Sequence, residues 1–297
     1  TALPLYHIFS FTVNLITFFY IGSHIVLAPS PRPITNLKAV FEKYPLTWMT
    51  GLNTLFNALV NEPWFVDHPP AKMKCAIAGG TALHSAVAEK WSRVTHSTIA
   101  EGYGLTEASP VVSFNPLAGV IKRDTIGIPI PSTEVVILGD DGKPCHPGEP
   151  GELCIRGPQL MAGYWEKEEE TRNVLKDGWL HTGDVAMMDD QGYLRIVDRK
   201  KDMINVSGFK VFPNEVEARI AEHPGVSEVA VIGIKDEHTG EGVKAFIVKK
   251  DPNLTVESVR TFCGEALAKY KVPKVVEFRK DLPKTPIGKI LRKELRT

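Results

Sequence analysis

Cysteine is scarce in this sequence, and none of it is arranged as a metal or redox motif. The 297 residues contain four cysteines, Cys75, Cys145, Cys154 and Cys263. No two of them form C-x-x-C, and none stands at zinc-finger spacing from a histidine, which argues against a structural zinc site. Scattered thiols are typical of buried side chains in a reducing compartment, so the sequence predicts a cytoplasmic protein.

Net charge is also lacking, because 35 Lys and Arg residues balance 35 Asp and Glu residues. Nucleic-acid-binding domains need a basic face, so no nucleic-acid partner is expected. Three catalytic signatures are missing from the sequence: the G-x-S-x-G elbow, the H-E-x-x-H zinc motif and the Walker A loop. Their absence argues against an elbow-type hydrolase, a zinc protease and a P-loop NTPase.

One uncharged run, residues 8–27, is long enough to be mistaken for a membrane span. No basic residue precedes it, and it contains polar and small residues: Ser10, Thr12, Asn14, Thr17, Gly22, Ser23 and His24. We therefore expect a buried helix followed by a buried strand. The chain opens at Thr1 without Met or a signal-peptide layout, so an internal start with a missing upstream segment is expected.

The first part of the chain alternates between helical and strand patterns. Apolar residues at helical spacing predict a helix over residues 53–60. A strand is predicted at 73–78, and the glycine pair at 79–80 then turns into a helix through Trp91. Interleaved strands and helices predict an α/β layer with a mostly parallel sheet.

Beyond Asp124 the pattern changes to short strands separated by turns. Strands are predicted at 133–138, 152–156 and 193–197, with the turn dipeptides D-G at 141, P-G at 147 and Q-G at 191. This arrangement predicts an antiparallel β subdomain.

The last part predicts a small α+β domain. Its expected elements are a helix at 213–223 with Asn214 as the N-cap, strands at 227–234 and 244–249, a helix at 256–269 and a strand at 275–278. The expected fold class is therefore α/β, in three parts. These are a partial α/β subdomain at 1–125, an antiparallel β subdomain at 126–198 and a mobile α+β lid domain at 199–297.

Two glycine motifs are candidates for holding a nucleotide. The sequence E-G-Y-G-L-T-E at 101–107 predicts a loop whose backbone approaches a ligand closely and adopts positive φ. In such a loop Thr106 offers a hydroxyl to phosphate and Glu107 a carboxylate to Mg²⁺. The segment 77–83 predicts a strand that runs into a glycine turn and a helix start, where ligands often bind. On spacing alone, a surface turn and a tight crossover explain the two segments equally well.

Two charged motifs are further candidates. The run D-G-W-L-H-T-G-D at 177–184 is followed by D-R-K-K-D at 198–202. Asp184 can accept hydrogen bonds from two sugar hydroxyls, and Arg199 can bind ribose or phosphate. Near the C-terminus, K-T-P-I-G-K ends at Lys289, which can bring a positive charge to a developing phosphate anion. Taken singly, a solvated charged face and a surface lysine are the simpler explanations.

The order of these motifs and their residues resemble those of one superfamily, that of acyl-CoA synthetases, luciferases and peptide-synthetase adenylation domains. The Y-G-L-T-E segment at 103–107 resembles its Y-G-x-T-E loop, and 177–201 resembles its fatty-acyl-CoA synthetase signature. The segments 206–217 and 282–289 resemble the stretches after the hinge and around the adenylation lysine. The likeness covers the whole chain and is strongest to bacterial long-chain fatty-acid–CoA ligases.

This resemblance implies a role for each matching residue on the nucleotide side. Adenine is implied to lie among Gly79, Gly80, Gly102, Tyr103 and Gly104, with the Tyr103 ring stacked on it. Thr106 is implied to touch phosphate, and Glu107 to hold Mg²⁺. Asp184 and Arg199 are implied to bind the ribose hydroxyls.

The resemblance also implies two chemical steps that share one pocket, with ATP/AMP, Mg²⁺ and CoA as cofactors and a fatty acid as substrate. Lys289 is implied to bridge the acyl carboxylate and the phosphate, and Lys201 to be the hinge of the lid. After rotation, the CoA tunnel is implied to be lined by Ser207, Gly208 and Phe209. His7 is implied to lie beside the acyl pocket.

One departure from the family pattern concerns phosphate binding. The Ser/Thr/Gly-rich loop that ends in P-K-G is not in this sequence, so weak or absent turnover is expected of this chain alone. An aryl-acid ligase, a carrier-feeding adenylation domain and a non-catalytic nucleotide- or acyl-binding fragment remain alternatives, although no carrier domain follows residue 297. Peripheral contact with the inner membrane face is left open, as are the oligomeric state and the preferred chain length.

Overall fold

A computed structural model describes residues 1–286 and 288–296. Contacts within the chain divide it into two compact units. The first unit comprises Thr1–Thr182, Ala186–Ile196 and Pro286–Lys289, and the second comprises Gly183–Val185, Val197–Thr285 and Ile290–Thr297. The boundaries expected after residues 125 and 198 stay predictions.

The first unit contains a five-stranded mixed sheet in the order β1-β2-β3-β4-β5. Its strands are β1 (Trp48–Gly51), β2 (Cys75–Ala78), β3 (Thr98–Gly104), β4 (Val111–Phe114) and β5 (Ile128–Pro129). The first three strands run parallel, and β4 and β5 then pair antiparallel. The expectation of a mostly parallel sheet therefore holds for β1–β3 only.

Helices of the first unit cover the parallel strands. They are α2 (Lys38–Lys43), α3 (Asn53–Asn61), α4 (Pro63–Asp67) and α5 (Ser85–Thr95), which confirms the predicted helices at 53–60 and through Trp91. Three aromatic side chains, Phe56, Phe65 and Trp91, are fully buried here. The ring of Trp91 lies 5.1 Å from that of Phe56 and 5.4 Å from that of Phe65. Interlocked rings of this kind fix the helices on the sheet.

The uncharged run at 8–27 differs from its prediction. It forms a π-helix, Ser10–Thr17, that continues into the short α1 (Phe18–Tyr20). The helix buries only the polar Ser10 and Asn14, and Asn14 donates from Nδ2 to Thr50 Oγ1 at 2.7 Å. Residues 21–33, all of which the structure describes, form no strand. The prediction of a buried helix and a buried strand was therefore wrong, because hydrogen bonding places Ser10 and Asn14 inside and leaves Phe11, Ile16 and Phe19 exposed. In the described part of the chain, no helix is long and apolar enough to cross a membrane.

A second sheet has the order β10-β9-β7-β6, with β8 paired to β9. Its elements are β6 (Glu134–Leu138), β7 (Gly151–Arg156), α6 (Glu168–Val174), β8 (Leu175–Lys176), β9 (Trp179–Met188) and β10 (Leu194–Arg199). The antiparallel pairing of β6 with β7 and of β8 with β9 agrees with the predicted subdomain. Gly142, Gly148 and Gly192 have φ of 75°, 84° and 82°, as turns of this kind require.

The second unit is an α+β domain with the strand order β12-β11-β14-β13 and β15 parallel to β14. Its elements are β11 (Ile204–Val206), β12 (Phe209–Val211), α7 (Pro213–Ala221), β13 (Val226–Asp236), β14 (Gly240–Lys249), α8 (Val256–Gly264) and β15 (Val275–Arg279). The α/β class with a small α+β C-terminal part is confirmed.

Two details of the second unit correct the sequence predictions. The N-cap of α7 is Phe212 and Pro213 opens the helix, so Asn214 lies one position inside it. There its backbone N–H donates to Asp198 Oδ2 at 2.7 Å, a long-range partner that local sequence does not reveal. Helix α8 ends at Gly264 rather than at residue 269, and a separate 3₁₀ turn, Lys269–Lys271, follows.

Candidate active site

The glycines predicted to surround a ligand lie at one end of two neighbouring parallel strands. Strands β2 and β3 pair with Ala78 opposite Glu101. The residues that follow this pair, Gly79 and Gly102, therefore lie side by side. A Cβ atom on Gly79 would lie 3.6 Å from the Gly102 carbonyl oxygen and 3.3 Å from the Phe9 ring. The carboxyl ends of parallel strands are a common place for ligands.

The segment around Tyr103 is a strand and not the predicted loop. Gly102 and Gly104 belong to β3, and neither has positive φ. Glycine is needed at 104 for a different reason, since a Cβ there would lie 2.2 Å from the Pro110 carbonyl oxygen. Close approach of backbone to backbone therefore explains Gly104, while a Cβ on Gly102 would lie 2.6 Å from the Phe114 ring. The Tyr103 side chain is partly buried against the cluster that includes Ala108 and Val112.

Glu101, which the sequence motif contains but which was given no role, is buried beneath this edge. Its Oε1 accepts a hydrogen bond from the Leu83 backbone N–H at 3.1 Å. It thereby ties the turn after β2 to β3. Burial raises the pKa of Glu101 to about 8, with a smaller contribution from Asp124. The side chain is therefore a neutral acid at pH 7.

Thr106 and Glu107 form a 3₁₀ turn directly after β3, Thr106–Ala108. The Glu107 backbone carbonyl accepts from the Met161 N–H at 2.8 Å, which fixes the turn. Its carboxylate Oε1 accepts a hydrogen bond from the Tyr164 hydroxyl at 2.7 Å. Burial, and then Glu107, raise the pKa of Tyr164 to about 12, so the phenol stays a donor. Sequence analysis missed Tyr164, which lies 57 residues away along the chain.

Glu107 fits the way in which Mg²⁺ is usually held by nucleotide-binding enzymes. Mg²⁺ commonly takes one or two protein carboxylates and completes its octahedral shell with phosphate oxygens and water. Tyr164 restrains one carboxylate oxygen of Glu107 and so orients the other. Within residues 1–286 and 288–296 no group of three or more His, Cys, Asp or Glu side chains could hold a metal alone. A single carboxylate such as Glu107 fits a metal whose other ligands are phosphate oxygens and water.

Lys289 belongs by its contacts to the first unit, together with His7. Burial lowers the pKa of His7, and the charge of Lys289 lowers it further, so the two side chains are electrostatic neighbours. The Gly288 carbonyl accepts a hydrogen bond from Thr54 Oγ1 at 3.3 Å. Gly288 has φ of 96°, and a Cβ there would lie 2.5 Å from Arg32 Nη2. A glycine is therefore needed where this loop docks; Ile287 lies outside the described residues.

In the second unit, Asp184 and Arg199 contact each other. Arg199 Nε lies 3.2 Å from Asp184 Oδ1, and the Asp184 side chain is 8% exposed while that of Arg199 is 47% exposed. The arginine is thus the more exposed member of the pair. Taken alone, the charged run 198–202 is most simply explained as a solvated face, but Asp198 and Asp202 are both buried. Lys201 lies in the 3₁₀ turn Lys200–Asp202 that joins β10 to β11.

Ser207 and Gly208 form the tight turn of the hairpin between β11 and β12. Their φ values of 51° and 88° are those of a two-residue hairpin turn, and Asn205 Oδ1 accepts from the Gly208 N–H at 2.8 Å. The Phe209 side chain is 56% exposed. Its ring stacks on Tyr270 at 4.8 Å, an aromatic partner that sequence analysis missed.

The predicted site residues therefore fall into two groups. Gly79, Gly80, the 102–107 segment, His7 and Lys289 belong to the first unit, and Asp184, Arg199, Lys201 and the hairpin at 207–209 belong to the second. Their individual roles stay predictions.

Comparison with known proteins identifies the family. The family of AMP-binding enzymes matches residues 1–165, more than half of the chain, and the AMP-binding enzyme C-terminal domain matches residues 215–289. The chain belongs to the AMP-binding enzyme family. The superfamily resemblance drawn from the motifs is thereby confirmed.

Curated relatives add detail. The chain is 52% identical over 296 residues to the long-chain-fatty-acid–CoA ligase of Escherichia coli O157:H7, covering 100% of the chain and 53% of the relative. It is 41% identical to the ligase of the same name from Bacillus subtilis, covering 98% of the chain and 52% of the relative. The chain thus spans about half the length of the curated relatives it matches.

A solved structure confirms the fold. The anthranilate CoA ligase AuaEII, in complex with anthranoyl-AMP, superposes with a TM-score of 0.92 at 30% sequence identity. The match covers 99% of this chain and 58% of that one.

Proposed function

We propose that this chain carries part of an ATP-dependent fatty-acid–CoA ligase, which forms an acyl adenylate and then transfers the acyl group to CoA. The observation that carries the proposal is the docking of the Lys289 loop on the first unit, where the Gly288 carbonyl accepts a hydrogen bond from Thr54 Oγ1. Identity of 52% to a long-chain-fatty-acid–CoA ligase supports the fatty-acyl substrate.

The nucleotide end of the site is assigned to the β2–β3 edge. Gly79 and Gly80 are assigned to the adenine site together with the backbone of the 102–104 segment, and Tyr103 provides a ring on which adenine can stack. Glu101 keeps the two backbone segments of this edge at a fixed separation through Leu83. Asp184 accepts hydrogen bonds from ribose hydroxyls, and Arg199 holds that carboxylate in place.

In the first step a carboxylate oxygen of the fatty acid attacks the α-phosphorus of ATP. An oxygen–phosphorus bond forms, the bond to pyrophosphate breaks, and no proton is transferred. Lys289 Nζ lies between the two anions and stabilises the charge that gathers on the phosphoryl oxygens. His7 is neutral because its pKa is lowered, so it lines the acyl side without adding a second cation.

Phosphate binding is assigned to Thr106 and Glu107. The Thr106 hydroxyl donates to an oxygen of the α-phosphate, and the Glu107 carboxylate, held by Tyr164, binds Mg²⁺. When bound, Mg²⁺ neutralises phosphate charge and makes pyrophosphate a better leaving group.

In the second step the CoA sulfur attacks the acyl carbon, the bond to AMP breaks and the thiol proton is lost to solvent. Ser207, Gly208 and Phe209 are assigned to the channel that admits the pantetheine arm, and Phe209 offers an exposed ring for it. Lys201 is assigned as the hinge about which the second unit turns between the two steps.

The test of the first step is isotope exchange between pyrophosphate and ATP. Exchange that depends on palmitate and not on coumarate is expected. Lys289→Ala should lower it about 100-fold or more, because a group that stabilises developing charge is lost. The exposed Lys293→Ala is the matched control and should leave exchange unchanged.

A preference for coumarate would instead support an aryl-acid–CoA ligase, an alternative that the anthranilate ligase structure favours. Tight AMP binding by calorimetry with no exchange for either acid would support a non-catalytic nucleotide-binding chain. Weak turnover of this chain alone, a cytoplasmic location and peripheral membrane contact stay predictions.

A further inference from the structure

A buried network of charges surrounds Arg292, whose side chain is 17% exposed. Its Nε and Nη2 bind the two carboxylate oxygens of Glu217 at 3.0 and 2.7 Å. Its Nη1 lies 3.4 Å from Asp198 Oδ1 and 3.4 Å from Asp202 Oδ2. One guanidinium therefore contacts three carboxylates from two different parts of the second unit.

Other donors complete the network around the two aspartates. Asp198 accepts from its neighbour, the Arg199 backbone N–H, at 2.7 Å and from the Asn214 N–H at 2.7 Å. Asp202 accepts from Arg296 Nη2 at 2.6 Å. Because each carboxylate has several donors, the network specifies one arrangement of the segments that contribute to it.

The charge balance of the network depends on Arg292. Burial raises the pKa of Asp198 to about 6, although Arg292 and the two backbone donors oppose this, and Glu217 adds to it. Burial also disfavours ionised Asp202, but Arg296 and Arg292 lower its pKa overall. Without Arg292, Asp198 and Glu217 would lose this guanidinium while Asp202 kept that of Arg296, and such an imbalance is costly inside a protein.

The sequence positions of these residues matter for the chemistry. Asp198 and Asp202 stand on either side of the segment that contains Lys201, to which we assign the hinge. Arg292 follows Lys289 by three residues. We propose that Arg292 is a positioning residue that locks the segment following Lys289 to the hinge, so that the two behave as one piece. This inference rests on the proposed function for the roles of Lys289 and Lys201, but the contacts that carry it do not.

An arginine suits this position better than a lysine. The planar guanidinium spans both oxygens of Glu217 while its third nitrogen faces the aspartates. An ammonium group is a single point of charge and can satisfy only part of this set. The substitution Arg292→Lys keeps the positive charge but removes the bidentate guanidinium, so it separates the effect of the geometry from that of the charge.

Hydrogen exchange without any nucleotide tests the lock directly. In Arg292→Met we expect amides of 291–296 and of 199–203 to exchange together, on the order of 100-fold faster, as when one partner of a buried ion pair is removed. Probes are the Leu291 N–H, bonded to the Pro283 carbonyl, and the Met203 N–H, bonded to that of Arg199. Amides of the β13–β14 pair should keep their rates.

Three further variants sharpen the result. Arg292→Lys should give an intermediate acceleration, and Asp202→Asn, on the hinge side, should still loosen 291–296. The neighbouring Lys293→Met, an exposed lysine in the same turn, is the matched control and should change nothing. Faster exchange confined to 291–296, or an equal rise throughout the second unit, would overturn the proposal.

Activity provides a separate readout. Arg292→Lys should lower kcat of palmitate-dependent pyrophosphate exchange, with little change in the KM for ATP. The reason is that the substitution displaces Lys289 and leaves the β2–β3 edge, to which the nucleotide is assigned, in place. If the hydrogen-exchange results are as expected while wild type shows no pyrophosphate exchange, the positioning role of Arg292 stands and the proposed function fails. If wild type is active and Arg292→Lys matches it, the positioning role fails.

Discussion

Glu101 offers the sharpest link between a buried side chain and a measurable property. In Glu101→Gln the amide oxygen can still accept from the Leu83 N–H, while the ionisable group is lost. The folded protein holds the Glu101 proton with a pKa of about 8, against 4.5 for an exposed glutamate. The unfolded chain releases that proton first, so the stability of the wild type falls as pH rises through this interval.

The size of the effect follows from the two pKa values. Each pKa unit between the folded and unfolded states is worth about 1.4 kcal/mol. The full loss in the free energy of unfolding is therefore about 5 kcal/mol. Between about pH 5 and pH 9 we expect the wild type to lose about 4 kcal/mol relative to Glu101→Gln. Asp124 is the charged neighbour that adds to the cost of ionised Glu101. The comparison between variants cancels the titration of all groups that both proteins share.

Urea unfolding followed by tryptophan fluorescence measures this difference. All five tryptophans precede residue 183, so the signal reports on the first unit alone. The midpoint and slope at each pH give the free energy of unfolding for wild type and variant. A difference between the two proteins that varies by less than about 1 kcal/mol over this pH range would refute the buried neutral acid.

Three other predictions concern packing and the turn to which Mg²⁺ binding is assigned. Gly104→Ala should destabilise the first unit by at least about 1 kcal/mol in urea, because its Cβ would meet the Pro110 carbonyl; an unchanged midpoint would contradict the close approach. Trp91→Ala should cost about 3–5 kcal/mol by the same assay, since the side chain is fully buried, and a cost below about 1 kcal/mol would be inconsistent with this core. Tyr164→Phe should raise the Mg²⁺ concentration needed for half-maximal pyrophosphate exchange about five-fold, the worth of one hydrogen bond to Glu107; an unchanged requirement would separate Tyr164 from the metal.

The parts of the fold that follow from local pattern were predictable from the sequence. The helix at 53–60 has apolar residues at helical spacing, and the strands β2, β7 and β13 contain short continuous apolar runs, as buried strands do. The run at 8–27 was misjudged because hydropathy does not say which face of a helix is buried. There a hydrogen bond from Asn14 to Thr50 decides the orientation.

The predictable part of the candidate site is the part that lies within short motifs. Residues such as Lys289 and Glu107 lie in short segments whose sequences resemble motifs of the family. Tyr164, Tyr270 and Arg292 were missed because each acts on a motif residue from a distant part of the chain. Sequence spacing gives no measure of such pairings, whereas a folded structure brings them within hydrogen-bond or ring-stacking distance.

The position of Arg292 has a practical consequence for anyone who shortens this protein. A version that stopped at Leu291 would keep every residue to which a chemical step is assigned. It would nevertheless leave Asp198, Asp202 and Glu217 without the two guanidinium groups that face them. Trimming six terminal residues would thus damage the protein as an active-site substitution does, while sparing the active site itself.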